Sequence, residues 1–462
     1  MTRTNLDKYI TLSIILLAVI TLSQYLGFSI QQSISVGIIT LFITSTFLFW
    51  NNRLSYGFIG VSLLLTFGVL DIEHLIKFAN LNIIIFLIGM MIIVGYLERN
   101  HFFEYIIGKL IEKVGKSGKL LIIVILVIAA LSAALIDEVT SILIMTAIVI
   151  HFASEYKVNP IPFVLMTVFA TNIGSSATVV GNPVGVLIAL KGGLTFSDFL
   201  RWATPISIIA LVVAILLLMF LFRKQIAEFD RNLKENFHKK EKELVEKHNL
   251  LAPALLFIGT LLALILHSNI EHLLGLEKNT MLIGIALIGA GIAMLLSKDE
   301  AQELVEQRVD WWTLMFFMFL FASVGSLEFT GVIDIFSSQI SALTGGNIIF
   351  TLIVVMGVAG ILSAVLDNVL AVAVMVPIIE DLIAASPGTS SPLWWALLFA
   401  ATLFGNLTFI GSTANIVALG VLKKRKWGHI SFMQWIKPGF VITAATAVIA
   451  FVLIMIQLPL MQ

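Results

Sequence analysis

Long apolar runs separated by short polar or glycine-containing stretches set the rhythm of the chain. Runs near 8–26, 33–50, 56–71 and 83–97 approach the ~20 apolar residues that cross ~30 Å of hydrocarbon. A charged, amphipathic stretch follows, Glu98 to Lys119. Two apolar segments, 120–135 and 138–152, then meet at adjacent carboxylates, Asp137 and Glu138. A span at 160–190 is broken by Gly, Ser, Thr and Asn, and another span covers 201–223. A Lys/Glu-rich polar linker occupies 224–249. Spans at 250–266, 280–296 and 311–328 come next. The paired segment then returns (347–365 and 368–384), followed by a broken span (393–422) and a last span (436–458).

Composition narrows the class. The 462 residues are 59% hydrophobic and 12% charged, with mean hydropathy +1.04, far from soluble globular usage. Continuous runs argue for an all-α polytopic membrane protein, because a barrel needs short alternating segments. The first run lacks a small-residue cleavage site, so it reads as a retained span. A formal net charge of zero gives no case for a nucleic-acid partner. With no cysteine, disulfides, thiolate metal sites and cysteine nucleophiles are excluded. The eight histidines show no metal-ligand spacing. Trp and Tyr near span ends read as interfacial belt residues.

Basic residues set the orientation. Arg223, Lys224, Arg231, Lys234, Lys239, Lys240, Lys242 and Lys247 make the linker cytoplasmic, and Lys423 to Lys426 should lie on the same side. Both conditions hold only if each paired segment enters and leaves on one face. The pairs 120–152 and 347–384 are therefore expected to be re-entrant hairpins with Asp137 and Asp367 at their tips. This arrangement gives about eleven spans, an N-terminus in the cytoplasm, and residence in the plasma (inner) membrane of a prokaryote. The linker reads as a solvated surface helix without chemistry.

One register relates the halves. Asp137 and Asp367 stand 230 positions apart, as do Thr178 and Thr408, Gly181 and Gly411, Gly95 and Gly325, and Phe86 and Phe316. An odd number of spans separates the copies, so they are inverted in the membrane. Copy one covers 83–223 and copy two 311–462. Such repeats place their sites near the midplane, where broken helices meet.

The breaks carry the candidate chemistry. The first includes Asn172, Ser175, Ser176, Thr178, Gly181 and Asn182; the second includes Asn406, Thr408, Gly411, Ser412, Thr413 and Asn415. Glycine and proline free backbone groups that protein, water or an ion must satisfy at bilayer depth. Freed carbonyls beside a carboxylate suit Na+, and half-helix N-termini suit an anion. At the tips, Asp137, Glu138, Thr140, Asp367 and Asn368 complete the set. An ionised carboxylate at that depth costs roughly 2.5–3.5 kcal/mol on insertion scales. Capping explains one such group but not its recurrence. Na+ at Asp137, Asp367 and the freed carbonyls, or H+ on a carboxylate, are the expected coupling ions, with no other cofactor.

These motifs resemble the ion transporter superfamily. The resemblance rests on Phe86 to Gly95, Leu131 to Asp137, Thr171 to Gly174, Gly181 to Pro183, Leu366 to Val369, Phe404 to Asn406 and Ile410 to Asn415. The branch it matches holds arsenical-pump permeases, NhaD-type sodium/proton antiporters and the melanosomal P protein. The sodium-coupled citrate and dicarboxylate symporters are more distant members. The resemblance implies a homodimer with scaffold spans at 1–82 and 250–310. Hairpins and broken helices would move together as an elevator, linked by arm helices near 99–114 and 329–343. Glu138 departs from relatives that often carry Asn there, which argues against a divalent anion beside that tip.

The expected function is secondary active ion transport, with Na+/H+ antiport first. The alternative is Na+- or H+-coupled transport of an anion or oxyacid such as arsenite, citrate or a dicarboxylate. No serine–base pair, His-Glu-x-x-His or Gly-x-Gly-Asp stands in a span, so an intramembrane enzyme is not expected. The expected partners are the bilayer and a small ion or anion.

Overall fold

The computed structural model describes residues 3–112, 117–235, 250–385 and 390–461. Every regular element among them is helical. The first part of the chain forms α1 (Arg3–Tyr25), α2 (Ile30–Leu48), α3 (Arg53–Thr66), α4 (Ile72–Phe78), α5 (Leu81–Arg99) and α6 (Phe102–Glu112). Next come the first helix pair, α7 (Gly118–Leu135) and α8 (Glu138–Glu155), and the two halves of the broken span, α9 (Ile161–Ser175) and α10 (Pro183–Gly192). The short α11 (Phe196–Asp198) leads into α12 (Thr204–Leu221) and α13 (Arg223–Glu235). The second part starts with α14 (Leu251–Leu274), α15 (Thr280–Ser297) and the short α16 (Ala301–Glu303). It continues with α17 (Trp311–Phe329), α18 (Val332–Thr344), α19 (Ile348–Val365), α20 (Asn368–Ala385), α21 (Ser390–Phe404), α22 (Thr413–Lys424) and α23 (Phe432–Met461).

Helix boundaries repeat the sequence register. Helices α5, α6, α7, α8 and α10 start 230 positions before α17, α18, α19, α20 and α22. Packing repeats it too. A Cβ on Gly95 would lie 2.6 Å from Arg308, and one on Gly325 would lie 2.1 Å from Phe78. Positions 78 and 308 are themselves related by the register, so the two close approaches are images of each other.

Twelve helices among the described residues are long and apolar enough to span. The count differs from eleven because length and composition admit all four hairpin helices and pass over the 14-residue α3 and the two broken spans, whose halves are too short. Hairpin geometry decides between re-entry and crossing. Inverted copies have their hairpin bases on opposite faces, so full crossing would separate the tips by ~30 Å. Asn368 Nδ2 instead donates to Glu138 Oε1 at 3.2 Å. Both pairs are therefore re-entrant.

Contacts divide the chain into two units. One comprises Met1–Ile85, Asp310–Thr351 and Ala373–Gly388; the other comprises Phe86–Val309, Leu352–Val372 and Thr389–Gln462. Within the first, Lys8 Nζ donates to the Leu48 carbonyl (2.9 Å) and Arg53 to Thr313 Oγ1 (3.2 Å). Gln32 Nε2 donates to the Thr330 carbonyl (3.0 Å). Within the second, Arg99 pairs with Glu300 (2.6 Å) and Arg308 with Glu98 (2.9 Å). There Asn279 Nδ2 also reaches the Ala189 carbonyl (3.2 Å). Every one of these contacts joins helix ends that the span order assigns to the same face.

The linker differs from a solvated helix. Ile226, Phe229 and Leu233 of α13 are buried, at the spacing that lines one helical face. Asp230 accepts from the amide of Gly118 at the start of α7 (2.7 Å), and Asn232 donates to the Tyr156 carbonyl just past α8 (2.9 Å). The ring of Phe229 meets Tyr156 edge-on at 5.6 Å. Helix α13 thus clasps the base of the first hairpin, a role its abundant charge conceals in the sequence. Lys234 beside Asp230, with the amide of Gly118, holds that carboxyl below the usual carboxylate range. The contact is therefore present above that range and is lost only as acid protonates it. The rest of the linker, 236–249, with Lys239, Lys240, Lys242 and Lys247, lies outside the described residues.

The absence of cysteine makes topology directly measurable. Single substitutions Lys157→Cys, at the base of hairpin one, and Asn347→Cys, at the base of hairpin two, are expected to react with an impermeant maleimide from opposite faces of sealed vesicles. Labelling of both from one face would remove the inverted arrangement.

Candidate ion-binding site

Each break is built around a backbone crossing. A Cβ on Gly181 would lie 2.2 Å from the Ser175 carbonyl oxygen, and one on Gly411 would lie 2.9 Å from that of Gly405. Only glycine lets the chain fold back over itself there. A hydroxyl then ties each break to its hairpin. Thr178 donates to the Ala134 carbonyl and Thr408 to the Ala364 carbonyl, partners that are 44 positions apart in both copies. Both acceptors lie in the last turn of the hairpin's first helix, where carbonyls lack intrahelical partners.

The restarting helices are capped from within. Asn182 Oδ1 accepts from the amide of Gly185 at the start of α10 (2.7 Å). Ser412 Oγ accepts from the amide of Ala414 at the start of α22 (3.2 Å). At the hairpin tips Asp137 accepts from Val139 N (2.7 Å) and Thr140 N (3.4 Å), and Asp367 from Val369 N (3.0 Å). Thr413 Oγ1 also donates to Asp367 (2.6 Å). The two aspartates thus hold the first turns of α8 and α20, which fixes where the next residues, Glu138 and Asn368, point.

Glu138 occupies the centre and is 2% exposed. Its Oε2 accepts from Ser175 Oγ (3.1 Å) of copy one. Its Oε1 accepts from Asn368 Nδ2 (3.2 Å) and Ser412 Oγ (3.4 Å) of copy two. Asn182 Nδ2 supports Ser175 Oγ at 2.8 Å. Beside this lies an amide triad: Asn172 Nδ2 donates to Asn406 Oδ1 and Asn415 Oδ1, both at 2.8 Å. Asn415 Nδ2 in turn takes the carbonyls of Gly405 (2.7 Å) and Thr408 (2.9 Å), two groups freed by the break. Among the described residues, three buried asparagine amide atoms at this site keep no hydrogen-bond partner: Asn172 Oδ1, Asn368 Oδ1 and Asn406 Nδ2.

Most of the residues singled out by the sequence meet here; some do not. Ser176 turns away to Ser207 of α12 (2.8 Å). Thr140 is engaged through its backbone amide, and Thr178 and Thr408 face the hairpins. Other residues escaped the sequence reading. Trp435, read above as a belt residue, is 1% exposed and donates its indole N–H to the Asn406 carbonyl (3.1 Å). Thr204 donates to the Ala177 carbonyl (2.8 Å). No pattern in the chain flags either one, because each contributes through a position far away in sequence.

The citrate transporter family matches residues 10–400. The chain belongs to that family. It is a membrane transporter and not an enzyme. An uncharacterized transporter of Mycobacterium tuberculosis is 35% identical over 373 residues, covering 80% of this chain and 84% of that protein. The human P protein is 26% identical over 450 residues, covering 80% of this chain and 52% of the P protein. The crystal structure of the Alcanivorax borkumensis YdaH transporter, described as having an unusual topology, aligns with TM-score 0.59 at 13% identity. It covers 87% of this chain and 89% of that one, and this likeness is one of fold.

The ties at the breaks make ordered predictions. Thr178→Val leaves the Ala134 carbonyl unpaired and should cost about 1–3 kcal/mol, read as a fall in Tm, while Thr178→Ser recovers most of it. Gly181→Ala should destabilise more than Gly411→Ala, following the 2.2 and 2.9 Å approaches. Equal Tm values for the two alanine variants would contradict the crossing geometry.

Proposed function

We propose that this transporter exchanges Na+ for H+ at a site centred on Glu138. The observation that carries the reading is a buried carboxylate held by both copies at once, through Ser175 on one side and Asn368 and Ser412 on the other. Burying an ionised carboxylate among neutral donors leaves most of its lost hydration uncompensated. A bound proton or a monovalent cation removes that deficit, and the two compete for the same oxygens. Carboxylate and amide oxygens suit a hard cation, and Asn368 Oδ1 and Asn172 Oδ1 are buried acceptors without a protein partner. Asp137 and Asp367, placed first as carriers by sequence, serve here to position the tips. The elevator movement and the homodimer belong to this reading through the family resemblance, and a plasma-membrane location with a cytoplasmic N-terminus through the span order and the placement of basic residues.

A second reading has two observations in its favour. The family is that of citrate transporters, and the N-termini of α8, α10, α20 and α22 gather at the site, as an anion site requires. Against it, each of those N-termini is already capped by Asp137, Asn182, Asp367 or Ser412. Glu138 would repel a carboxylate substrate.

Proteoliposomes loaded with a pH dye separate the two. Added NaCl should drive proton flux in the wild-type protein, and Glu138→Gln should abolish it while the protein stays folded. Uptake of citrate or arsenite without any Na+-driven proton flux would instead establish the second reading.

A further inference from the structure

The breaks are held from behind by residues outside both motifs. On α23, Trp435, Gly439 and Thr443 recur every fourth residue and so share one face. That face meets the second break carbonyl by carbonyl. Trp435 Nε1 donates to Asn406 O (3.1 Å) and Thr443 Oγ1 to Leu403 O (3.3 Å). Between them, a Cβ on Gly439 would lie 2.6 Å from Asn406 O and 3.1 Å from Leu407 O. The Trp435 ring also stands edge-on to Phe169 of α9 at 5.6 Å, so a single side chain touches both broken spans. On α12, Thr204 holds the Ala177 carbonyl and Ser207 meets Ser176. Thr204 and Trp435 sit at the starts of α12 and α23, the long helices that come after the two broken spans.

From this arrangement, and resting on the ion-exchange reading above, we infer that Trp435 is a positioning residue for the site. By holding the backbone carbonyl of Asn406 it fixes that residue's side-chain amide, and with it the Asn172–Asn406–Asn415 triad next to Glu138. Trp435 touches no transported ion. Loss of its N–H frees a buried carbonyl, and the amide it anchors loses its register with Asn172. Gly439 is required for the same carbonyl from the other side, since any Cβ there pushes on the oxygen.

Two variants therefore strike one atom by different routes. Trp435→Phe keeps an aromatic ring against Phe169 and removes the donor, while Gly439→Ala keeps the donor and displaces the acceptor. Hydrogen–deuterium exchange on the purified full-length protein should rise at 405–412 in both and stay at the wild-type level at 176–182. Thr204→Val should do the reverse. In proteoliposomes the apparent KM for Na+ should rise about five- to tenfold in Trp435→Phe and Gly439→Ala, with kcat within about twofold of wild type. Trp427→Phe, in the exposed turn after α22, should change neither measurement. Unchanged exchange at 405–412 in both variants overturns the inference. So does raised exchange with KM unchanged, which would reduce Trp435 to a packing residue. Should the wild-type protein move no protons on Na+ addition, the ion-exchange reading falls, and the exchange measurement alone decides whether Trp435 holds the break.

Discussion

A peptide group freed from its helix inside hydrocarbon finds no partner in the lipid and must be met by protein, water or a bound ion. This chain frees such groups twice, at the Ser175–Asn182 break and at the Gly405–Ser412 break, and the surrounding design answers that debt group by group. The hairpin ends receive a threonine hydroxyl, the restarting helices carry their own caps, and carbonyls within the breaks are taken by Asn415, Thr204 and Trp435. The hairpins, the breaks and the helices behind them are mutually dependent for this reason. Removing any one leaves another's backbone unsatisfied.

The repeat supplies the architecture, and departures from it supply the chemistry. Thr178 and Thr408 make the same tie with the same 44-residue separation. Where helices pack tightly, the copies trade sizes instead. Gly174 lies against the backbone of Ala130, and at the equivalent pair Gly360 lies against the ring of Phe404. The contact is kept while the small residue changes helix. At the tips the difference is one of charge: Glu138 faces its own repeat partner, Asn368. The centre is thus shared equally in space, and copy one brings to it one carboxylate more than copy two.

Polar residues in apolar runs are costly enough to be visible in the sequence, and this made the hairpins, the breaks and the 230-residue register legible. Direction was less so. Successive helix positions are about 100° apart, so Ser175 and Ser176 look equivalent in sequence, yet one faces Glu138 and the other Ser207. Asp137 and Glu138 posed the same problem, with one bent back as a cap and its neighbour sent into the centre. Trp435 was hidden for a different reason. A tryptophan near a span end usually marks the interface, and only the three-dimensional fold shows this one beneath a break. Helix α13 concealed its buried face behind an abundance of charge that its three apolar residues did not outweigh.

On the proposed reading, the burial of Glu138 also accounts for coupling. With its donors neutral and its exposure near zero, the carboxylate is costly to enclose when ionised and alone. The enclosed state is therefore reached with a proton or a cation aboard, and the empty, charged carrier is held back by its own desolvation. A carrier that reorients only when loaded exchanges one ion for the other and does not leak either. Asn368 keeps this balance in place. As a neutral donor it steadies Glu138 without cancelling its charge, whereas a lysine or arginine there would satisfy the carboxylate permanently and remove the need for a transported ion.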